Sequence, residues 1–245
     1  MTPFASGSSI TCVLSSGWSD MSDDTYRIEK KGSNYLIHRE EGEKPIKIPS
    51  QLYPLTGPAY LICSRNTAPF EDSAQTERIR EIFDSITPRV GYCYDNTQRL
   101  IDALHAAGIA ATSFVGWELV GGSLPVHHCF AMVDDHILDY NIRPEEWLSE
   151  EYRSAEIGNV RAKMANDIVR LMREKQPSEV MGFGQASSYY AYIATPCSPA
   201  AGLAKYRALM KAFPKHPSYQ NIRPSGINRT QELIYKELGE SPFRE

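Results

Sequence analysis

Between residues 88 and 142 one helical pattern is followed at once by three strand-like runs, and that order restricts the folds open to the chain. Pro88-Arg89-Val90-Gly91 breaks the chain. Cys93 then opens a helix in which Leu100, Leu104 and Ala107 recur on one face before a stop at Gly108. Cys93 lies on the same stripe as Leu100, so its sulfur is expected at the first turn, facing protein. The runs 109–120, 126–133 and 136–140 follow, separated by the turn pairs Gly121-Gly122 and Asp134-Asp135. They read as an antiparallel meander. The expected fold is α+β: a nucleophile-bearing helix packed on that meander, with further helices towards the C-terminus.

Outside this segment the signals are plainer. Residues 1–24 are rich in Ser, Gly, Thr and Asp with little periodicity, and read as a flexible leader. Strand readings at Thr25–Glu29, Tyr35–His38, Lys44–Ile48 and Ala59–Cys63 are punctuated by Pro and Gly. A helix is predicted over Glu71–Ser85, with Asp72 or Ser73 as its cap. Pro144–Glu151, Ile157–Lys175, Pro199–Ala212 and Thr230–Leu238 read as helices, and Ser187–Ala194 as an aromatic-rich strand or loop. Residues 25–245 are therefore expected to form a single domain, with a core at 70–142 and a helical part at 143–245.

Composition excludes some function classes. A net charge of -4 and a pI near 5.9 argue against nucleic acid or an anionic membrane surface as partner. No apolar run approaches the about 18 residues that span a bilayer. The N-terminus lacks a signal-peptide pattern, so a cytoplasmic location is expected. A Ser-rich leader without basic residues is also compatible with export on a non-cleaved signal. The five cysteines, at 12, 63, 93, 129 and 197, form no CxxC pair and read as reduced thiols. Cys93, His127, Cys129 and His136 leave no fixed fourth ligand for zinc, and no acidic cluster reads as a calcium loop. No metal and no cofactor are expected.

The chemistry is concentrated around Cys93. A cysteine at a helix N-terminus meets unpaired N–H groups and the positive end of the macrodipole, both of which favour a thiolate. Gly91 lets the backbone approach closely. If Asp134-Asp135 is a two-residue turn, Asp139 falls opposite Phe130, and His128, Phe130 and Asp139 share one face. A three-residue turn shifts the register and selects His127 instead; the Asp-Asp pair favours the first. In either register an imidazole and a carboxylate meet, the arrangement of a nucleophile, base and orienter. Tyr92 and Tyr94 flank the cysteine, and Trp117 stands on the strand beside the histidines. These three are the candidate substrate-binding residues.

Gly91-Tyr92-Cys93-Tyr94 at the head of a helix, a helix closing on Ala-Ala-Gly-Ile, His128-Cys129-Phe130 in one strand and Leu138-Asp139 in the next resemble the transglutaminase-like superfamily of the papain-like group. The resemblance covers residues 88–142. It implies Cys93 as nucleophile, His128 as base and Asp139 as orienter; the register argument keeps His127 as the alternative base. The implied activity is cysteine acyl transfer on an amide through a thioacyl-enzyme, by a peptidase, amidase or glutamine deamidase. Its substrate would be a peptide, a protein or a small amide. The order also resembles arylamine N-acetyltransferases, so an acyltransferase of that or the transglutaminase type is the alternative enzyme. The alternative of another class is a non-catalytic module that keeps the papain-like fold and uses its groove to hold a partner.

Overall fold

The computed structural model describes residues 11–12, 27–31, 34–38, 45–49, 60–64, 66–120, 125–147, 157–220 and 227–241. Apart from 11–12, the leader 1–24 lies outside the described residues, as do 148–151 of the helix read at Pro144–Glu151. Strand β1 (Thr11–Cys12) is followed by β2 (Arg27–Lys31), β3 (Asn34–His38) and β4 (Ile46–Pro49), and the last three form their own antiparallel sheet. Then come β5 (Tyr60–Cys63), α1 (Ala74–Ser85), α2 (Cys93–Ala106), β6 (Thr112–Val120), β7 (Val126–Val133) and β8 (His136–Ile142). The C-terminal part contributes α3 (Ile157–Glu174), α4 (Pro177–Val180), β9 (Met181–Gly184), β10 (Tyr190–Pro196), α5 (Pro199–Ala212), α6 (Pro217–Gln220) and α7 (Arg229–Leu238).

The main sheet has seven strands in the order β1-β5-β10-β6-β7-β8-β9, with every neighbouring pair antiparallel. The meander β6-β7-β8 is present as expected, and Val133 pairs with His136 across a two-residue Asp134-Asp135 turn. Asp134 takes a left-handed φ of 54°, which Asp tolerates better than most residues. The C-terminal part carries the helices expected at 157–175, 199–212 and 230–238 and also adds two strands to the sheet. Between residues 144 and 147 there is only a single 3-10 turn, Pro144–Glu146. Strand β10 enters the middle of the sheet between β5 and β6, and β9 closes one edge. Residues 190–195 of β10 are all buried, as suits a central strand covered on both sides.

Helices pack on one side of this sheet. Helix α1 is capped by Ser73, whose Oγ accepts from the Thr76 N–H at 3.0 Å. Its Ile79 and Phe83 join Leu100, Ile101 and Leu104 of α2 over Ala131, Val133 and Leu138 of the sheet. On the other side Phe114, Phe130, Met132, Ile137, Tyr190, Tyr192 and Ala194 form a second core with Ile62. Helices α3 and α7 pack through Ala165, Val169 and Ile234. Among the described residues no helix is long and apolar enough to cross a membrane.

Gly116 allows the central strands to pack this closely. It pairs with His128 on β7 and with Ala194 on β10. A Cβ built there would stand 2.0 Å from the Ile193 carbonyl oxygen and 2.6 Å from the Ala194 Cα. Both are backbone atoms, so neither can swing aside. Gly116→Ala is expected to cost about 3 kcal/mol, the upper range for overpacking. Urea unfolding of variant and parent measures it, and a loss under about 1 kcal/mol would mean that the strands can separate locally.

Candidate functional site

The pleat divides the functional side chains of the meander between two faces. Cross-strand pairing places Phe114, Gly116 and Glu118 of β6 on one face with Phe130, His128 and Val126 of β7. Tyr192 of β10 pairs with Glu118 and shares that face, as does Asp139 of β8. Val115, Trp117, His127 and Cys129 project to the opposite face, where α2 packs.

On the first face Glu118, His128 and Asp139 converge, each offering a ligand-type atom within 4.8 Å of the others. They are 4%, 6% and 2% exposed. His128 Nε2 meets Asp139 Oδ1 at 2.8 Å, and the Tyr192 hydroxyl donates to Asp139 Oδ2 at 2.8 Å. Asn141 Nδ2 donates to Glu118 Oε1 at 2.9 Å. Burial opposes a charged imidazole, yet Asp139 and then Glu118 outweigh it and hold the His128 pKa well above its ordinary value. Burial also pushes the Glu118 carboxyl up to about 7, with Asp139 adding to the rise and His128 and Asn141 opposing it. A charged His128–Asp139 pair balances its own charge, and Glu118 becomes neutral as pH falls below about 7. Two carboxylates and an imidazole are also a donor set for a divalent cation. Here, however, the His128 nitrogen is turned onto Asp139 and the Glu118 oxygen onto Asn141.

The second face carries Cys93. The turn into α2 is pinned by Asn96, whose Oδ1 accepts from the Arg89 N–H at 3.0 Å while its Nδ2 donates to the Arg89 carbonyl at 2.8 Å. Gly91 takes φ 80° there, and the Gln231 side chain occupies the space where its Cβ would point. The glycine thus serves the turn. Half-buried Cys93 packs beside Tyr94, Val115 and Cys129, with Cys197, Leu203 and Tyr206 around them. The Tyr94 hydroxyl is hydrogen-bonded to His127 Nδ1. Burial, and then His128, lower the His127 pKa to about 3, so its ring is neutral. His127 also stacks on Tyr206 at 4.8 Å and meets Trp117 edge-on at 5.2 Å. Trp117 is fully buried, and the half-buried Tyr92 ring lies under the Arg89 guanidinium at 4.3 Å.

The expected Cys-His-Asp triad is therefore corrected, and with it the reading as a cysteine peptidase, amidase, deamidase or acyltransferase. The cluster that forms is Glu118–His128–Asp139, with an acid where the thiol was expected. The register pairs His128 with Asp139 as the two-residue turn requires, but that pair lies on the face away from α2. The Cys93 charge contributes to the field at His128, yet among the described residues no hydrogen bond joins its sulfur to either histidine. His127 does share a face with Cys93, but its Nδ1 is bonded to Tyr94, and no carboxylate orients it. Glu118 was missed. Its signal was a lone acid inside the otherwise uncharged run Thr112–Val120.

No family model matches the chain, and no curated protein or solved structure matches it significantly.

The network fixes a pH response. Glu118 titrates at about 7 in the fold against an ordinary 4.5. The folded protein thus holds the extra proton between those values, and this group's contribution to stability falls as pH rises through them. The raised His128 pKa acts in the same sense, its contribution being full below its ordinary 6.5 and lost at higher pH. His127 titrates oppositely, so the decisive quantity is the difference between parent and variant. Glu118→Gln is expected to gain stability relative to the parent as pH rises from about 4.5 to 7. Urea midpoints at several pH values test this, and a difference that is flat with pH would show that folding leaves the Glu118 pKa unshifted.

Proposed function

We propose that this protein is a non-catalytic binding module. It sets a cysteine-led helix against an antiparallel sheet in the manner of the papain-like and transglutaminase-like folds. It holds a peptide or a small amide against the aromatic side chains beside the start of α2. The observation that carries the reading is that Glu118, and no thiol, completes the His128–Asp139 cluster, on the strand face opposite the one where Cys93 packs. A thiol that, among the described residues, no imidazole meets by a hydrogen bond, and an imidazole–carboxylate pair without a nucleophile, do not make a reaction centre. What remains beside α2 is a wall of rings, Tyr94, His127, Trp117 and Tyr206, of the kind that grips ligands through flat apolar surface with a few polar contacts.

The test combines two measurements. Incubation with p-nitrophenyl acetate is expected to leave the intact mass unchanged, whereas an acyl adduct on Cys93 would sink the reading. Saturation-transfer NMR with a mixture of N-acetylated peptide amides is expected to show contact equally for parent and Cys93→Ala. In Tyr206→Ala the signal should fall about fivefold or more, the scale of one lost aromatic contact. No transfer to any peptide amide in the parent would also count against it.

A further inference from the structure

We infer that the aromatic cluster on the helix side of the sheet receives a flat, uncharged ring compound bearing a carbonyl oxygen. This deepens the binding-module reading and rests on it. Six rings are in contact there: Tyr94, Trp117, His127, Tyr206, His216 and Tyr219. Tyr206 lies 6.2 Å from Tyr94 and 5.9 Å from Tyr219, while Trp117 lies 6.1 Å from Tyr219 and 6.3 Å from His216. Three of the six carry a buried polar atom with no hydrogen-bond partner: Trp117 Nε1, His127 Nε2 and Tyr219 Oη. The Oγ of Ser218, next to Tyr219, is a fourth. Trp117 is 0% exposed, Tyr219 5% and Ser218 8%. Buried polar groups are nearly always paired, so several orphans in one cluster mark a place where an occupant supplies the partners.

The orphans specify that occupant. An indole N–H can only donate. The Tyr94 hydroxyl engages His127 Nδ1, so Nε2 is the ring nitrogen left without a partner. The Tyr219 phenol stays protonated, because burial and then Tyr206 raise its pKa. Donors thus face the occupant, and it must bring acceptors. The shifts of His127, Tyr94, Tyr206, Tyr219 and His216 come from burial and from thiol, phenol and imidazole neighbours, with no lysine or arginine among their causes. The one cation that acts on the cluster, His128, is already paired with Asp139, so a buried anion would lack a free counter-charge, and a cation would face N–H and O–H protons. A neutral carbonyl on a planar ring meets both conditions, and the ring stacks or meets edges as the cluster does with itself.

Benzamide, benzoate and benzamidine share one ring and nearly one shape while being neutral, anionic and cationic. Calorimetric titration of the full-length protein is expected to show saturable binding of benzamide, with benzoate and benzamidine at least about tenfold weaker. Tyr219→Phe removes only the orphan hydroxyl. It should weaken benzamide about fivefold while leaving the ligand-free Tm unchanged or higher, since no bond is lost in the empty protein. A merely structural Oη would lower that Tm instead, and that result overturns the assignment. So does the absence of binding by all three compounds, in which case ordered water fills the cluster, or charged analogues that match benzamide. The p-nitrophenyl acetate experiment separates the two levels. Benzamide failing without a Cys93 adduct removes only the ligand class, whereas an adduct removes the binding-module reading itself.

Discussion

A pleated strand points neighbouring side chains to opposite faces, and in this protein that constraint falls on the adjacent pair His127 and His128. One histidine enters a buried charge network and the other an aromatic cluster against a helix. Each therefore meets a different dielectric history and a different set of partners. His128 is held charged by Asp139 and Glu118, while His127 is kept neutral by burial with a phenol on its Nδ1. Two groups of identical intrinsic chemistry, one residue apart, are driven in opposite directions by surroundings alone.

The network on the first face ties strands that are far apart in sequence. Glu118 comes from β6, His128 from β7, Asp139 and Asn141 from β8, and Tyr192 from β10. A buried ion pair adds little net stability over an apolar core of the same shape, but removing one partner strands the other and costs about 3–5 kcal/mol. Such a network selects one strand register over others more than it deepens the well. Here it does so where β10 inserts beside β6, a pairing between segments about seventy to eighty residues apart that local sequence does not specify. The closeness that Gly116 permits between β10 and β6 is part of the same arrangement.

The local part of this design was legible in the sequence. Helix α2 begins at Cys93 as read, α5 spans Pro199–Ala212 as read, and the Asp134-Asp135 turn sets the register that joins His128 to Asp139. These follow from turn chemistry and periodicity, which act over a few residues. What was not legible is non-local. Alternation showed that His128 and Asp139 share a face, but not that the helix packs on the other one. That choice is made by Leu100 and Leu104 meeting Ala131, Val133 and Leu138, on which no motif bears. Glu118 was overlooked because one acid in an apolar strand becomes informative only when its neighbours on two other strands are known. Likewise β9, four residues with two glycines, has too short a pattern to read.

The helix side owes its shape to a second close approach. At Gly202 on α5 a Cβ would come within 2.6 Å of a Val115 methyl and 3.0 Å of the Tyr94 ring, so α5 lies directly on β6 and the first turn of α2. One turn further along, this places Tyr206 over His127 and beside Tyr94. Tyr219, on the short α6 that follows, then reaches both Tyr206 and Trp117. The cysteine's neighbourhood is thereby filled with rings and with Leu203, Cys129 and Cys197. A helix start alone lends a thiol only part of what nucleophilic catalysis needs. A base must arrive from the same side, and on this side His127 is held by a phenol while His136, at the far end of the meander, is bonded to the Ala68 carbonyl. The fold thus spends its charged groups on holding the sheet together and leaves its donors and rings facing the helix.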